Sequence, residues 1–243
     1  MDIPVCVPNT RFQWTKLVIV LGIETSGRQG SLAVVRDGNL IAEKELSATG
    51  RRHARTLVPE LKTLLEDNGL YSSDLDVIAV SIGPGSFTGL RVGVVCAKTL
   101  AYALNKPIVA VDTCDAIAFA LPTDITRTAV IFDALRGDIY VAEYERTNSG
   151  WNETNRPGLL PLEAWLATTT GKFLTATGPG LAQHGEEIAP HCPLAPEGFH
   201  NPHASAIALL GEQQVQAGDF ADTWTIEPHY IRRSAAEEKA ELK

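Results

Sequence analysis

The sequence has few of the residues that build metal centres or disulfide frameworks. Its four cysteines lie far apart and form no Cys-x-x-Cys pair: Cys6, Cys96, Cys114 and Cys192. Isolated thiols predict neither a zinc cluster nor a compact set of disulfides, so we expect a reducing compartment and a cytoplasmic location. The chain also lacks an apolar run of roughly 18 to 20 residues, the length that spans a bilayer, and we expect no membrane association.

Histidines in a metal-binding spacing are missing as well. Of the six histidines, only His200 and His203 are close in sequence, and Pro202 lies between them. Proline disrupts the helix on which a His-x-x-x-His pair would share one ion, so we expect no metal site, and a metallopeptidase is disfavoured. Ser86 also lacks the Gly-x-Ser-x-Gly setting of a hydrolase nucleophile.

The chain has fewer basic than acidic residues. The chain has 29 acidic residues against 21 lysines and arginines, which gives a formal net charge of -8. This excess of negative charge repels a phosphate backbone. We therefore expect the isolated chain to be a poor binder of nucleic acid.

The most informative segment that is present joins a buried strand to a helix through a glycine-rich turn. Residues 76–80, which are apolar after Asp76, predict a strand covered on both faces. The glycines of the turn allow close backbone approach, and its hydroxyls stand where a helix start needs a cap: Gly83, Gly85, Ser86, Thr88 and Gly89. Such a turn can hold an anion, but it is equally typical of a capped strand-to-helix connection. The glycine pattern alone leaves both interpretations open.

A polar cluster follows the first predicted strand. The apolar run at 17–23 ends in Glu24, Thr25 and Ser26, and Asp37-Gly38-Asn39 predicts a hairpin just beyond it. A carboxylate and two hydroxyls at the end of a first strand resemble the arrangement with which actin-like ATPases and sugar kinases hold phosphate and hydrated Mg²⁺. In this chain the carboxylate is Glu24.

Alternating strand and helix patterns predict an α/β fold with mixed sheets and flanking helices. We expect a first domain at 17–113, to which the chain returns at about 220–232, and a second domain at 114–219. The Asn, Thr, Gly and Pro content of residues 146–158 predicts an exposed loop.

Both ends of the chain are predicted to lie outside these domains. Residues 1–16 are expected to form a flexible extension, with docking of Phe12 and Trp14 onto the body as the alternative. The charged residues 233–243 are expected to form a mobile tail.

Three segments together resemble the TsaB family: Gly-Ile-Glu-Thr-Ser at 22–26, the helix that His53 opens, with Leu-Val-Pro-Glu-Leu at 57–61, and Gly-Pro-Gly-Ser-Phe-Thr-Gly-Leu-Arg at 83–91. The resemblance is close over about residues 17–113, with weaker echoes at 133–140, 178–180 and 228–232. It implies two tandem actin-like, or ribonuclease H-like, domains. Two departures from the family are Leu135, where an arginine is common, and the presence of residues 1–16.

The resemblance also implies a function. Members of this family are non-catalytic subunits that scaffold and activate a TsaD-like transferase, which makes threonylcarbamoyladenosine in tRNA, together with a TsaE-like ATPase. We therefore expect no catalytic residue, no cofactor of the chain's own, and contact with tRNA only through the complex. Binding of ATP or ADP at the complex interface is left open, with a candidate phosphate site at Glu24, Thr25, Ser26, Gly83, Gly85, Ser86, Thr88 and Gly89.

Two apolar helices are the expected partner surface. The helix at 88–105 is apolar on nearly all sides, and the helix at 53–67 has a broad apolar face, so a small domain has too little surface to cover both. The resemblance implies that these helices pair with the same helices of the catalytic subunit or, in a homodimer, of a second copy. The candidate interface residues are Leu57, Leu61, Leu64, Leu90, Val94, Val95, Lys98 and Tyr102.

The sequence leaves two alternative functions open. A small-molecule kinase or ATPase would use Glu24, Ser26 and the loop at 83–89 on ATP and Mg²⁺, and the isolated chain would show turnover. A metallopeptidase would need ligands that the sequence lacks. Two further carboxylates are predicted to be structural, because Asp112 stands at a helix start and Asp133 at a hairpin turn.

Overall fold

The computed structural model describes residues 18–47, 53–169 and 173–232, without the side chains of residues 53 and 54. The predicted extension at 1–16 and the predicted tail at 233–243 lie outside the described residues. The strands are β1 (Ile19–Glu24), β2 (Ser31–Arg36), β3 (Asn39–Glu45), β4 (Val77–Gly83), β5 (Ile108–Asp112), β6 (Arg127–Asp133), β7 (Asp138–Thr147), β8 (Gly150–Pro161) and β9 (Thr175–Thr177). The helices are α1 (His53–Asp67), α2 (Phe87–Leu104), α3 (Thr113–Ala120), α4 (Leu162–Thr169), α5 (Leu181–Ile188) and α6 (Ala204–Ala217).

The first sheet has the strand order β3-β2-β1-β4-β5. β2 and β3 pair antiparallel with their neighbours, whereas β4 and β5 run parallel to β1. The predicted hairpin is confirmed: Asp37 and Gly38 have φ angles of 48° and 73°, as the tight turn between two strands requires. The mixed sheets and flanking helices of the predicted fold are also confirmed.

One face of the first sheet is covered by α1 and α2. Leu21 and Ile23 of β1 pack in one buried cluster with Leu61 of α1 and Val94 of α2. By length and composition α2 could cross a membrane, and it is the one such helix among the residues that the structure describes. In the fold its inner face is part of this core.

The other face is covered by α6, which approaches the sheet closely. Ile207 of α6 lies in one cluster with Val20 and Ala79. A Cβ added at Gly22 of β1 would lie less than 3.0 Å from the backbone of α6, closer than real Cβ contacts come. The prediction that the chain returns to the first domain at about residue 220 is therefore one helix too late, because α6 packs on the first sheet.

The second sheet has the order β8-β7-β6-β9. Trp165 of α4 and Ile188 of α5 cover one face, and Ile117 of α3 belongs to the cluster on the other. The predicted loop at 146–158 is wrong over most of its length, because β8 pairs there with β7, for example Tyr144 with Glu153. β8 is an exposed edge strand, so its polar composition is compatible with main-chain pairing.

Polar contacts and a C-terminal strap, residues 221–232, join the two sheets. Arg156 of β8 forms an ion pair of 2.7 Å with Asp112, at the end of β5. Within the strap, the amide of His229 donates to the carbonyl of Ile82 at 2.6 Å, and Arg232 forms an ion pair with Asp138 of β7. The strap therefore contacts both halves of the molecule.

Candidate functional site

β1 ends in Glu24, whose carboxylate is fully buried. Its Oε1 accepts hydrogen bonds from the Ser26 hydroxyl at 2.5 Å, from the amide of Gly27 at 3.2 Å and from the amide of Ser26. Its Oε2 is buried with no hydrogen-bond partner among the described residues. Burial raises the pKa of Glu24, and these bonds together with the hydroxyl of Ser81 oppose the rise. The side chain thus organises its own turn.

The raised pKa of Glu24 predicts how the stability of the folded chain depends on pH. Between its ordinary value of 4.5 and its folded value, the Glu24 carboxyl holds a proton in the folded state that the unfolded chain has released, so its contribution to stability falls as the pH rises through this range. Glu24→Gln keeps an oxygen acceptor and cannot ionise. We expect it to be more stable than the wild type at about pH 8, with a smaller advantage at about pH 5.

Urea unfolding at both pH values measures this difference. A gap between the wild type and Glu24→Gln that is the same at both would contradict the prediction. Glu24→Ala is the control: it also cannot ionise but leaves buried donors without an acceptor, so we expect it to be less stable than Glu24→Gln by about 1–3 kcal/mol, and by the same amount at both pH values.

The glycine-rich loop at 83–89 is bonded to the turn after β1. The amide of Ser86 donates to the carbonyl of Ser26 at 2.7 Å, and the Thr25 hydroxyl donates to the carbonyl of Gly89 at 2.8 Å. Ser86 is the N-cap of α2, where its hydroxyl accepts from the amide of Gly89 at 3.3 Å. Thr88 is exposed in the first turn of the helix. The structure therefore brings the candidate phosphate residues together.

The open sides of these glycines are filled by the chain's own backbone. A Cβ at Gly85 would lie 2.5 Å from the carbonyl oxygen of Ser26, and one at Gly89 would meet the carbonyl oxygen of Thr25 at under 3.0 Å. A Cβ at Gly83 would meet the carbonyl oxygen of His229 in the strap. The close approach that these glycines allow is thus used for internal packing.

The second domain has a similar glycine pair. Gly178 and Gly180 lie against β6, where a Cβ at either would come within 3.0 Å of the backbone at Ile131. The amide of Gly180 donates to the carbonyl of Ile131 at 2.9 Å. Leu135 is exposed at the turn between β6 and β7, with a φ of 64°.

Both predictions of structural roles for aspartates are confirmed. Asp112 caps α3 by accepting from the amide of Cys114 at 2.7 Å, and Asp133 accepts from the amide of Leu135 at 3.1 Å. The sequence did not indicate their second partners, Arg156 and His184. Within residues 18–47, 53–169 and 173–232, no group of three His, Cys, Asp or Glu side chains could hold a metal ion.

The candidate interface residues divide into two groups. Leu57, Leu61, Leu64, Leu90 and Val94 are buried in the core of the first domain, so they do not contribute to a surface. Lys98 is half-buried, and its ammonium donates to the carbonyls of Trp224 and Ile226 in the strap. Val95 and Tyr102 are 62% and 67% exposed.

Sequence reasoning missed several members of the exposed surface. Val58 of α1 is 57% exposed, and the ring of Trp224 lies edge-on to Tyr102 with centroids 5.5 Å apart. At the start of α2, Phe87 and Tyr230 stack at 4.4 Å. Val58 follows Leu57 at about 100° round the helix, and this helical periodicity is the signal that could have separated outward from inward residues.

Comparisons with known proteins identify the family. A family model described as TsaD, tRNA N6-adenosine threonylcarbamoyltransferase, matches residues 40–240. The Bacillus subtilis tRNA threonylcarbamoyladenosine biosynthesis protein TsaB is 32% identical over 228 residues, which cover 90% of this chain and 96% of that protein. The chain belongs to the TsaB family. The TsaD model describes a wider group of proteins, and within that group the TsaB relative aligns with nearly the whole of this chain.

Two further comparisons agree with membership of the TsaB family. A Thermomicrobium roseum tRNA N6-adenosine threonylcarbamoyltransferase is 37% identical over 110 residues, but these cover only 30% of that enzyme and 39% of this chain. A crystal structure of a Pseudomonas aeruginosa protein, described as uncharacterized and similar to the peptidase YeaZ, superposes with a TM-score of 0.76 at 26% identity. It covers 88% of this chain and 100% of that one.

Proposed function

We propose that this chain is a non-catalytic subunit that scaffolds and activates a TsaD-like transferase in the synthesis of tRNA threonylcarbamoyladenosine. Its membership of the TsaB family supports the pathway. The proposed assembly also includes a TsaE-like ATPase and is cytoplasmic. The net charge of -8 supports contact with tRNA through the complex and not through this chain alone.

The packing of the loop at 83–89 carries the non-catalytic part of the proposal. A phosphate clamp needs free amides and open glycine faces. Here the amide of Ser86 is bonded to Ser26, and the faces of Gly85 and Gly89 are filled by the turn after β1. The loop is better suited to joining β1, β4 and α2 than to transferring phosphate.

The outward face of α1 and α2 is the proposed surface for the catalytic subunit. Val58, Val95 and Tyr102 expose apolar or aromatic side chains on neighbouring helices. Exposed apolar groups on a packed helix pair favour a partner that covers them. A homodimer through the same face would compete with this partner.

The kinase alternative makes a different prediction for the isolated chain. We expect the purified chain to show no ATP turnover above background and to support tRNA modification only when TsaD-like and TsaE-like subunits are added. Weak binding of ATP or ADP is compatible with the proposal, because nucleotide can lie at the complex interface. Steady-state ATP hydrolysis and incorporation of labelled threonine into tRNA are the two measurements.

Turnover by the isolated chain that disappears in both Glu24→Ala and Ser86→Ala would make a kinase or ATPase the better account. Peptide cleavage that chelators abolish would support a metallopeptidase. Full tRNA modification by the other subunits in the absence of this chain would contradict the scaffold role.

A further inference from the structure

Helix α3 lies between the two sheets and has a buried contact with each of them. Ala116 belongs to a cluster on the first sheet, whereas Ile117 belongs to a cluster on the second. The helix follows β5 of the first sheet directly and leads into β6 of the second. A change in the angle between the sheets therefore has to move α3 against at least one of them.

Arg156 stands at a bulge in β8, the edge strand of the second sheet. Between its paired residues Gly158 and Asn155, β8 has two residues where β7 has one. Bulges re-aim a side chain and are common at sheet edges. The half-buried side chain of Arg156 extends from here to the end of β5 in the first sheet.

The guanidinium of Arg156 binds the N-terminal end of α3. It forms its ion pair of 2.7 Å with Asp112, the N-cap, and lies 3.9 Å from the carboxylate of Asp115 in the first turn. On its own sheet it donates to the hydroxyl of Tyr144 at 3.1 Å, and that hydroxyl donates to Asp115 at 2.7 Å. A planar guanidinium holds several acceptors in fixed directions, which the single ammonium of a lysine does not.

Three carboxylates surround this one guanidinium: Asp112, Asp115 and Glu153. Burial, followed by the charge of Asp112, raises the pKa of Asp115 to about 6. Negative charges from both sides of the domain boundary thus meet at this point, and Arg156 is a cation that contacts all three. If it is removed, these carboxylates repel one another across the boundary.

The C-terminal end of α3 is held by another arginine of the second sheet. Arg146 of β7 donates to the carbonyls of Leu121 and Pro122 at 2.8 and 3.0 Å. It also donates to the carbonyl of Ile125 at 3.1 Å, and its guanidinium carbon lies 4.4 Å from the ring centroid of Trp151. Carbonyls at the end of a helix lack partners within the helix, so a basic side chain is favourable there.

We propose that Arg156 and Arg146 clamp α3 at its two ends and thereby lock the two sheets at one fixed angle. The two contacts are separated by the length of an eight-residue helix, about 12 Å. Two such contacts leave only rotation about the line that joins them, and the strap opposes this rotation through the ion pair of Arg232 with Asp138. A partner bound to the face of α1 and α2 then moves both sheets together as one rigid body.

Hydrogen exchange of the full-length chain, followed by mass spectrometry, tests the clamp. We expect Arg156→Gln to speed exchange in α3 at least about 10-fold, with a much smaller change in β1 and β4 at the centre of the first sheet. Asp112→Asn is the second variant, because its Oδ1 still caps α3 while an amide replaces the charged oxygen that binds Arg156. We expect it to speed exchange in the same helix.

Arg127→Gln is the matched control. Arg127 forms an ion pair of 3.5 Å with Glu145 within the second sheet, where both side chains are about half exposed. We expect this variant to leave α3 as protected as in the wild type. Unchanged exchange of α3 in both Arg156→Gln and Asp112→Asn would overturn the proposal, and so would exchange that rises equally in α3 and β4, because that pattern is a general loss of stability.

Small-angle X-ray scattering measures the angle between the sheets more directly. We expect Arg156→Gln combined with Arg146→Gln to have a larger radius of gyration than the wild type and Arg127→Gln, with the helix content in circular dichroism retained. A scattering curve of the double variant that superposes on that of the wild type would show that the angle does not depend on the clamp, and would contradict the proposal.

Discussion

Val95→Asp is expected to abolish association with a TsaD-like subunit while leaving the chain folded. Val95 lies on the outward face of α2, one turn from Thr99 and two turns from Tyr102, and it is 62% exposed. A carboxylate at the centre of an apolar interface loses its hydration without gaining a partner. Changes of this kind at a central interface residue cost about 2 kcal/mol or more, which is at least about a 30-fold loss of affinity.

Titration of the purified partner by calorimetry measures the loss, and circular dichroism checks the fold. Leu40→Asp is the matched control, because Leu40 is an aliphatic residue with 49% exposure on the edge strand β3. It should bind normally. Leu61→Asp should instead unfold the chain, since Leu61 is buried in the core. Normal affinity in Val95→Asp together with Tyr102→Asp would place the interface elsewhere.

Gly89→Ala is expected to be among the most damaging single-methyl additions in the chain. The added Cβ would meet the carbonyl oxygen of Thr25, a backbone atom held in place by β1, at under 3.0 Å. Overpacking costs typically about 1–3 kcal/mol, and we expect the upper part of this range because neither backbone can move away. For a chain of this size that is a fall in Tm of roughly 6–12 °C.

The matched control is Gly185→Ala in α5. There the nearest atoms to an added Cβ are 3.7 Å away, so the helix accepts the methyl group. Alanine also favours a helix over glycine by about 1 kcal/mol, and we expect equal or higher stability. Differential scanning calorimetry compares the two variants. If Gly89→Ala keeps the Tm of the control but loses nucleotide binding, the loop is a phosphate site and not a packed joint.

The elements with local signals were predictable from the sequence. Asp37-Gly38 specifies its hairpin through backbone conformation, and Asp112 and Ser86 mark helix starts through their side chains. The position of α6 was not predictable. Its apolar residues indicate that it packs against a sheet, but they do not distinguish the first sheet from the second. The strand β8 was missed for a related reason, since main-chain pairing at a sheet edge leaves little trace in composition.

The site was predictable in its membership but not in its packing. The sequence places Gly85 and Gly89 in a tight turn. It does not show whether the space beside each glycine is open to a ligand or occupied by the backbone of Ser26 and Thr25, as it is in the structure. The interface shows the same limit. On α2, Val94 and Val95 are adjacent and chemically identical, and only the tertiary structure makes one core and the other surface.

The place of α6 on the first sheet has a consequence for synthesis on the ribosome. The hydrogen bond from Gly38 to Glu212 joins residues that are 174 positions apart, so the helix that covers one face of the first sheet is translated long after the sheet itself. At about 5–20 residues per second, the sheet face around Val20 and Ala79 lacks α6 for roughly 5–20 s after β5 is complete, while α3, the other helix of the same cluster, is already made. Until then this apolar face is exposed to other nascent chains, and we expect chains truncated before Ala204 to be less soluble than the full-length chain.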